Sequence, residues 1–204
     1  MTPIAIAPIL GWFTAPLLQK EAGSSDPGRI LVAAGFTIVA VWAALAMPGD
    51  WLLPVTCVLG WILFALAAVD ALALRLPDIF TLPLIAAGLL VSLKLGDPLD
   101  HAIGAAAGFL VFYAIQFLYF AVRKREGLGL GDAKLAAAAG AWLGWQALPG
   151  IVLIACAVAA VWIGVALIRR GKTVLEEQIP FGVPLCLAIW IVWLYGLPGL
   201  LDTA

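Results

Sequence analysis

Charge is scarce in this chain of 204 residues: Asp, Glu, Lys and Arg together make up 11%, where an ordinary globular domain carries about 25%. Histidine occurs once, as His101, and cysteine three times, at Cys57, Cys156 and Cys186, with no Cys-x-x-Cys pair. All three cysteines sit inside apolar runs, so they read as small buried hydrophobes, and neither a disulfide framework nor a structural zinc site is expected. No basic tract suggests nucleic acid. The start of the chain lacks a basic segment and a small-residue cleavage site, which favours a retained span there over a signal peptide. A net charge of −1 says little, because membrane proteins are sorted by where Lys and Arg lie rather than by their sum.

What the chain has instead is apolar length. Hydrophobic residues make up 65% and the mean hydropathy is +1.12, more apolar surface than a soluble core of this size could hide. The apolar residues come in runs near 4–19, 30–47, 51–69, 79–95, 102–122, 133–147, 149–168 and 181–201, close to the roughly 17–25 residues that a membrane-crossing helix needs. The fold class is therefore all-α, a polytopic membrane protein of about eight transmembrane helices, or seven if the first run does not span. The first and sixth runs are the weakest, one interrupted by Pro3, Pro8 and Pro16, the other short and rich in Ala and Gly. The chain reads as one membrane-embedded domain over 1–204, with a short polar linker at 20–28.

Nine of the eleven basic residues fall in alternate connections, around 20–29, 70–78, 123–132 and 169–180. The positive-inside bias then puts those connections in the cytoplasm and both termini outside. Trp12, Trp51, Trp142 and Trp145 lie near run ends, where interfacial anchoring is expected of them. His101, beside Asp97 and Asp100, reads as an outward-facing surface-loop residue.

This topology sets Asp70, at the inner end of the third run, level with Asp132, at the inner start of the sixth. Asp78, in Leu76-Pro77-Asp78, lies near the same depth. A carboxylate at a membrane boundary must reach water, meet a partner or line a wet cavity. Two of them together are the equipment of aspartyl peptide hydrolysis. Like charges a few Å apart do not both ionise easily, so the pair shares a proton; one member can activate water while the other donates to the scissile carbonyl. Gly127, Gly129 and Gly131 precede Asp132 and allow close backbone approach at a depth where irregular backbone lines a wet cavity or is buried in protein. A proton-coupled transporter would also keep carboxylates in its spans.

Three blocks resemble the type IV prepilin peptidases, bacterial intramembrane aspartyl proteases of the Gly-x-Gly-Asp type. The first is Val69-Asp70 with Arg75-Leu76-Pro77-Asp78 and the run to Leu84. The second is Glu126-Gly127-Leu128-Gly129-Leu130-Gly131-Asp132-Ala133-Lys134-Leu135, continuing through Gly140 to Gln146. The third is Ile179-Pro180-Phe181-Gly182. They come in the family's order and mark a peptidase core over roughly 55–200. The resemblance implies that Asp70 and Asp132 are the catalytic pair, choosing Asp70 over Asp78, with Gly129 and Gly131 as the motif glycines. Asp78 then caps the next helix or supports the site. Lys134, which matches a recurrent basic residue, pairs with Asp78 or Glu126 or reaches solvent.

The implied substrates are prepilins or pseudopilins of type IV pili and type II secretion, cut after a glycine between a basic leader and an apolar helix, on the cytoplasmic side of the inner membrane. Glu126 and Glu176 are candidates for attracting the leader. No cofactor or metal is implied, and the partners are substrate and membrane lipid. Many family members carry two Cys-x-x-Cys pairs between the first two spans, associated with N-methylation. Here residues 20–28 contain no cysteine, which puts methyl transfer by this chain in question. A non-catalytic pilus assembly protein and a transporter remain the competing classes.

Overall fold

The computed structural model describes residues 2–22, 29–47, 51–95, 97–123, 129–171 and 180–196. They form eight helices: α1 (Thr2–Ala22), α2 (Arg29–Ala46), α3 (Leu53–Ala73), α4 (Asp78–Leu95), α5 (Pro98–Arg123), α6 (Leu130–Leu143), α7 (Leu148–Arg170) and α8 (Gly182–Tyr195). Among the described residues there is no strand. Each apolar run has become one helix, and the protein is an all-α membrane protein. α3, α5 and α7 are each long and apolar enough to cross a membrane, while α2 and α8 contain shorter apolar stretches.

Local chemistry sets the helix ends. Proline lies in the first turn of α3 and of α7, where its missing N–H costs nothing. Gly144, Gly171 and Gly196 close α6, α7 and α8 at φ of 76°, 75° and 70°, a region open to glycine at little steric cost. α3 ends differently, on Leu74 at φ 53°, whose N–H returns to the Asp70 carbonyl at 2.9 Å. Pro8 and Pro16 do not break α1; prolines inside membrane helices are tolerated where neighbouring groups satisfy the freed carbonyls.

The bundle is organised around α6. Ala133 and every residue from Leu135 to Trp142 are buried, so one of the two runs that look weakest in the sequence is well covered. Its small residues are the reason. In lipid there is little hydrophobic drive between helices, and association depends on close packing. A Cβ on Gly140 would strike the Gly104 backbone of α5, and one on Gly108 would strike the Ala136 carbonyl. On another side, Gly88 of α4 admits the indole of Trp142, whose Nε1 donates to the Leu84 carbonyl at 2.8 Å.

Three expectations need correction. Trp142 is a core residue, not an interfacial anchor, although Trp51 and Trp145 are exposed near helix ends; the Trp12 side chain lies outside the described residues. His101 belongs to the first turn of α5 rather than to a loop, and its Nδ1 lies 2.9 Å from the Ala141 carbonyl. Cys57 and Cys186 are buried, but Cys156 is exposed on α7. A lipid-facing position and a core position have the same hydropathy, so the apolar run could not separate them.

Candidate active site

Asp70 lies on the last turn of α3 and Asp132 is the third residue of α6. Their residues are only 5% and 9% exposed, and Leu76 lies against both neighbourhoods, packing on Gly131 beside Asp132 and on Gly182, which abuts Asp70. The structure thus brings together the pair separated by 62 positions in sequence.

Each carboxylate is held by a backbone donor. Val183 N–H donates to Asp70 Oδ2 at 3.2 Å. This donor belongs to the first turn of α8, where N–H groups lack partners within the helix and the helix dipole presents its positive end. Gly129 N–H donates to Asp132 Oδ2 at 3.3 Å, while Asp132 N–H returns to the Gly129 carbonyl at 3.1 Å. The reciprocal pair fixes the entry of α6, with an aspartate at N3 doing the work of the acidic residue in a capping box.

The glycines divide by role. A Cβ on Gly131 would lie 2.8 Å from Leu76 Cβ, and one on Gly182 would lie 2.7 Å from Asp70 Oδ2. Leu76 fills the angle between these glycines, also meeting a Cβ on Gly182 at 3.2 Å through its Cδ1. Gly129 is different: its φ of −81° and ψ of 150° are ordinary extended backbone, and an added Cβ meets nothing nearer than 3.8 Å. Gly131→Ala should therefore cost about 1–3 kcal/mol through overpacking, and Gly129→Ala far less. Apparent thermal midpoints in detergent will check this; equal midpoints for the two variants would contradict the Leu76 contact.

Asp78 starts α4 and forms an ion pair with Lys134 of α6. Among the described residues Lys134 pairs with Asp78, while Glu126, the other expected partner, lies outside them. The pair is partly solvated, at 27% and 56% side-chain exposure, so Lys134→Met should change stability by no more than about 1 kcal/mol. Thermal unfolding of that variant, with a loss well beyond this as the contrary result, tests whether the pair is more than a brace. The Pro77 carbonyl accepts from Phe80 N–H and Thr81 N–H at 3.1 and 3.2 Å, closing the first turn of α4. Glu126 and Glu176 lie outside the described residues.

Sequence reading missed what Leu76, Gly182 and Val183 do. The signal was present in Ile179-Pro180-Phe181-Gly182: a helix start at the depth of two carboxylates is a ready anion partner. Zinc of the Cys-x-x-Cys kind finds no matching residues. The segment 20–28 has neither Cys nor His, and among the described residues no group of three or more His, Cys, Asp or Glu could hold a metal ion.

Comparison with known proteins shows the family. Residues 57–164, just over half of the chain, match the type IV leader peptidase family. A prepilin leader peptidase/N-methyltransferase of Aeromonas salmonicida is 37% identical over 200 residues, covering 96% of this chain and 68% of the relative. A protein of the same description from Aeromonas hydrophila is 40% identical over 164 residues, covering 78% of this chain and 55% of its own length. One from Burkholderia pseudomallei reaches 48% over 122 residues, or 59% of this chain and 39% of that one. No solved structure matches the chain. With its matched segment spanning α3 to α7 and including both buried aspartates, this chain belongs to the type IV leader peptidase family.

Proposed function

We propose that the chain is an intramembrane aspartyl endopeptidase that removes the basic leader of prepilins or pseudopilins after a glycine, with Asp70 and Asp132 as the catalytic pair. The observation that carries this reading is the burial of these two carboxylates at helix ends that share Leu76 as a neighbour, each anchored by backbone N–H donation. Carboxylates buried side by side are costly to keep unless they work together on a proton.

The chemistry follows from a shared proton. The ionised carboxylate takes a proton from water as the water oxygen bonds to the scissile carbonyl carbon, and the protonated carboxyl gives its proton to the carbonyl oxygen. Collapse of the resulting gem-diol breaks the C–N bond. The departing amine receives its proton from the carboxyl that took one from water, the other carboxylate regains a proton from a gem-diol hydroxyl, and the glycine keeps a new carboxyl group. Asp70 and Asp132 are held by α8 and by the Gly129 turn in advance of substrate, which lowers the orientation cost of the attack.

The positive-inside pattern supports cleavage on the cytoplasmic face of a bacterial inner membrane, with the leader in the cytoplasm and the apolar helix in the bilayer. Glu126 and Glu176 are proposed to attract the leader's basic residues. Reversing both charges is expected to flatten the salt dependence of cleavage, and an unchanged dependence would remove them from the mechanism. The absence of cysteine from 20–28 leaves methyl transfer outside the proposed activity. Family membership sets aside the transporter and the assembly protein.

The reading is tested by co-expressing the chain with a prepilin in a host lacking its own leader peptidase and determining the new N-terminus by mass spectrometry. Leader loss directly after glycine is the expected result. A prepilin left intact by well-expressed, membrane-inserted protein would overturn the assignment.

A further inference from the structure

A cavity of ≈ 380 Å³ lies between α2, α3 and α8, within the range of ligand-binding pockets and well above the ~150 Å³ that accommodates benzene in an apolar core. One end adjoins the candidate site. Ala67 on its wall is one turn before Asp70, and Val183, also on its wall, supplies the N–H that holds Asp70. The other end reaches Trp42 and Trp190.

The cavity also has a lateral mouth. Ile38 of α2 and Leu187 of α8 both line it and are 64% and 37% exposed, so the space opens between these helices towards the surface that lipid would cover. Farther along, Trp42 Nε1 donates to the Tyr195 hydroxyl at 2.8 Å. This bond ties α2 to α8 at the end remote from Asp70. The cleft is therefore bridged at one end and open at its side, and at the other end it shares Val183, the residue whose N–H holds Asp70, with the candidate site. From Val183 to Trp190 along α8 it runs about 10 Å at ~1.5 Å per residue.

We infer that this cleft is the lateral entry and docking site for a peptide substrate, and that it receives apolar side chains from the first helical turns after the scissile bond. The inference rests on the peptidase reading and adds the route and the recognition surface. A substrate helix with its leader on the side of Asp70 would leave the carboxylates in the direction in which the cleft extends. Its apolar wall suits side chains that follow the cut and offers nothing to a basic leader. About 10 Å corresponds to roughly seven helical residues, so the cleft reads a short stretch rather than the whole span.

The test places a photo-crosslinking residue at Ile38 or at Leu187, and as a control at Leu153, an exposed position on α7. The full chain, carrying Asp132→Asn to retain substrate, is reconstituted in nanodiscs with a single-span peptide of basic leader, glycine and apolar helix. Crosslinks from positions 38 and 187 to the residues just after the glycine, and none from 153, are expected. Crosslinks from 38 and 187 only to lipid or to a second copy, while the protein without substitutions still cuts the peptide, would overturn the docking site alone. Failure of that protein to cut the peptide would remove the peptidase reading and this inference with it. In a second arm, Ile38→Trp and Leu187→Trp, with both aspartates intact, narrow the mouth. Each should lower kcat/KM by about 10-fold or more, the low end of what an apolar pocket discriminates, with a smaller loss when the residues after the glycine are replaced by alanine. Equal losses for both peptides would overturn the docking site.

Discussion

Asp70→Asn or Asp132→Asn should lower the rate of leader cleavage by about 10²–10⁴-fold, the range that a positioned acid or base contributes, while leaving the helices in place. Asparagine preserves the shape of each side chain and can still accept the N–H of Val183 or Gly129 through its amide oxygen. What it loses is the capacity to take or give a proton. Asp78→Asn is the informative comparison, because Asp78 is exposed and braces Lys134 from the start of α4. Loss of that partly solvated pair costs about 1 kcal/mol at most, so processing should persist. Rates measured in nanodiscs on one substrate, alongside thermal midpoints, separate lost chemistry from lost fold. Asp78→Asn as inactive as Asp132→Asn would mean that the wrong neighbour has been chosen.

Gly182→Ala should be nearly as damaging, although glycine carries no chemistry. A Cβ there would lie 2.7 Å from Asp70 Oδ2 and 2.9 Å from its Cγ. Either the carboxylate turns away or the start of α8 retreats and takes the Val183 donor with it. Misplacement of a reacting group by about 1 Å can cost ~10²-fold in rate, whereas overpacking costs about 1–3 kcal/mol in stability. The expected pattern is a large loss in kcat with a folded, somewhat less stable protein. Gly164→Ala on α7, where an added Cβ meets nothing within 4 Å, should behave like the unsubstituted protein. If Gly182→Ala cleaves at an undiminished rate, the contact between α8 and Asp70 is not part of the site.

The helical runs were legible because hydropathy reports length directly, and eight runs became eight helices. The alternation of basic connections put Asp70, Asp78 and Asp132 at one depth without choosing among them, and the choice of Asp70 came from the family resemblance. Facing was not legible. In a bilayer the outside of a helix is as apolar as its core side, so nothing in the composition of α7 distinguished exposed Cys156 from buried Ala155. Packing was legible only in reverse: the Ala and Gly content that lowers the hydropathy of α6 is what brings Gly140 against Gly104. His101 lay too close to a run end for its place to be read, and its bond to the Ala141 carbonyl depends on α5 and α6 lying side by side. The volume of Leu76 matters only in three dimensions, where it fills the space that Gly131 and Gly182 leave.

The central claim is that Asp70 and Asp132 act as one unit. Single-turnover cleavage by Asp70→Asn, Asp132→Asn and the double variant, in one nanodisc preparation with one substrate, tests it most directly, because groups that share a step are grossly non-additive. The account predicts that the double variant is no slower than the worse single variant, within a few-fold. Losses that multiply, or either single variant cleaving at close to the unsubstituted rate, would contradict it.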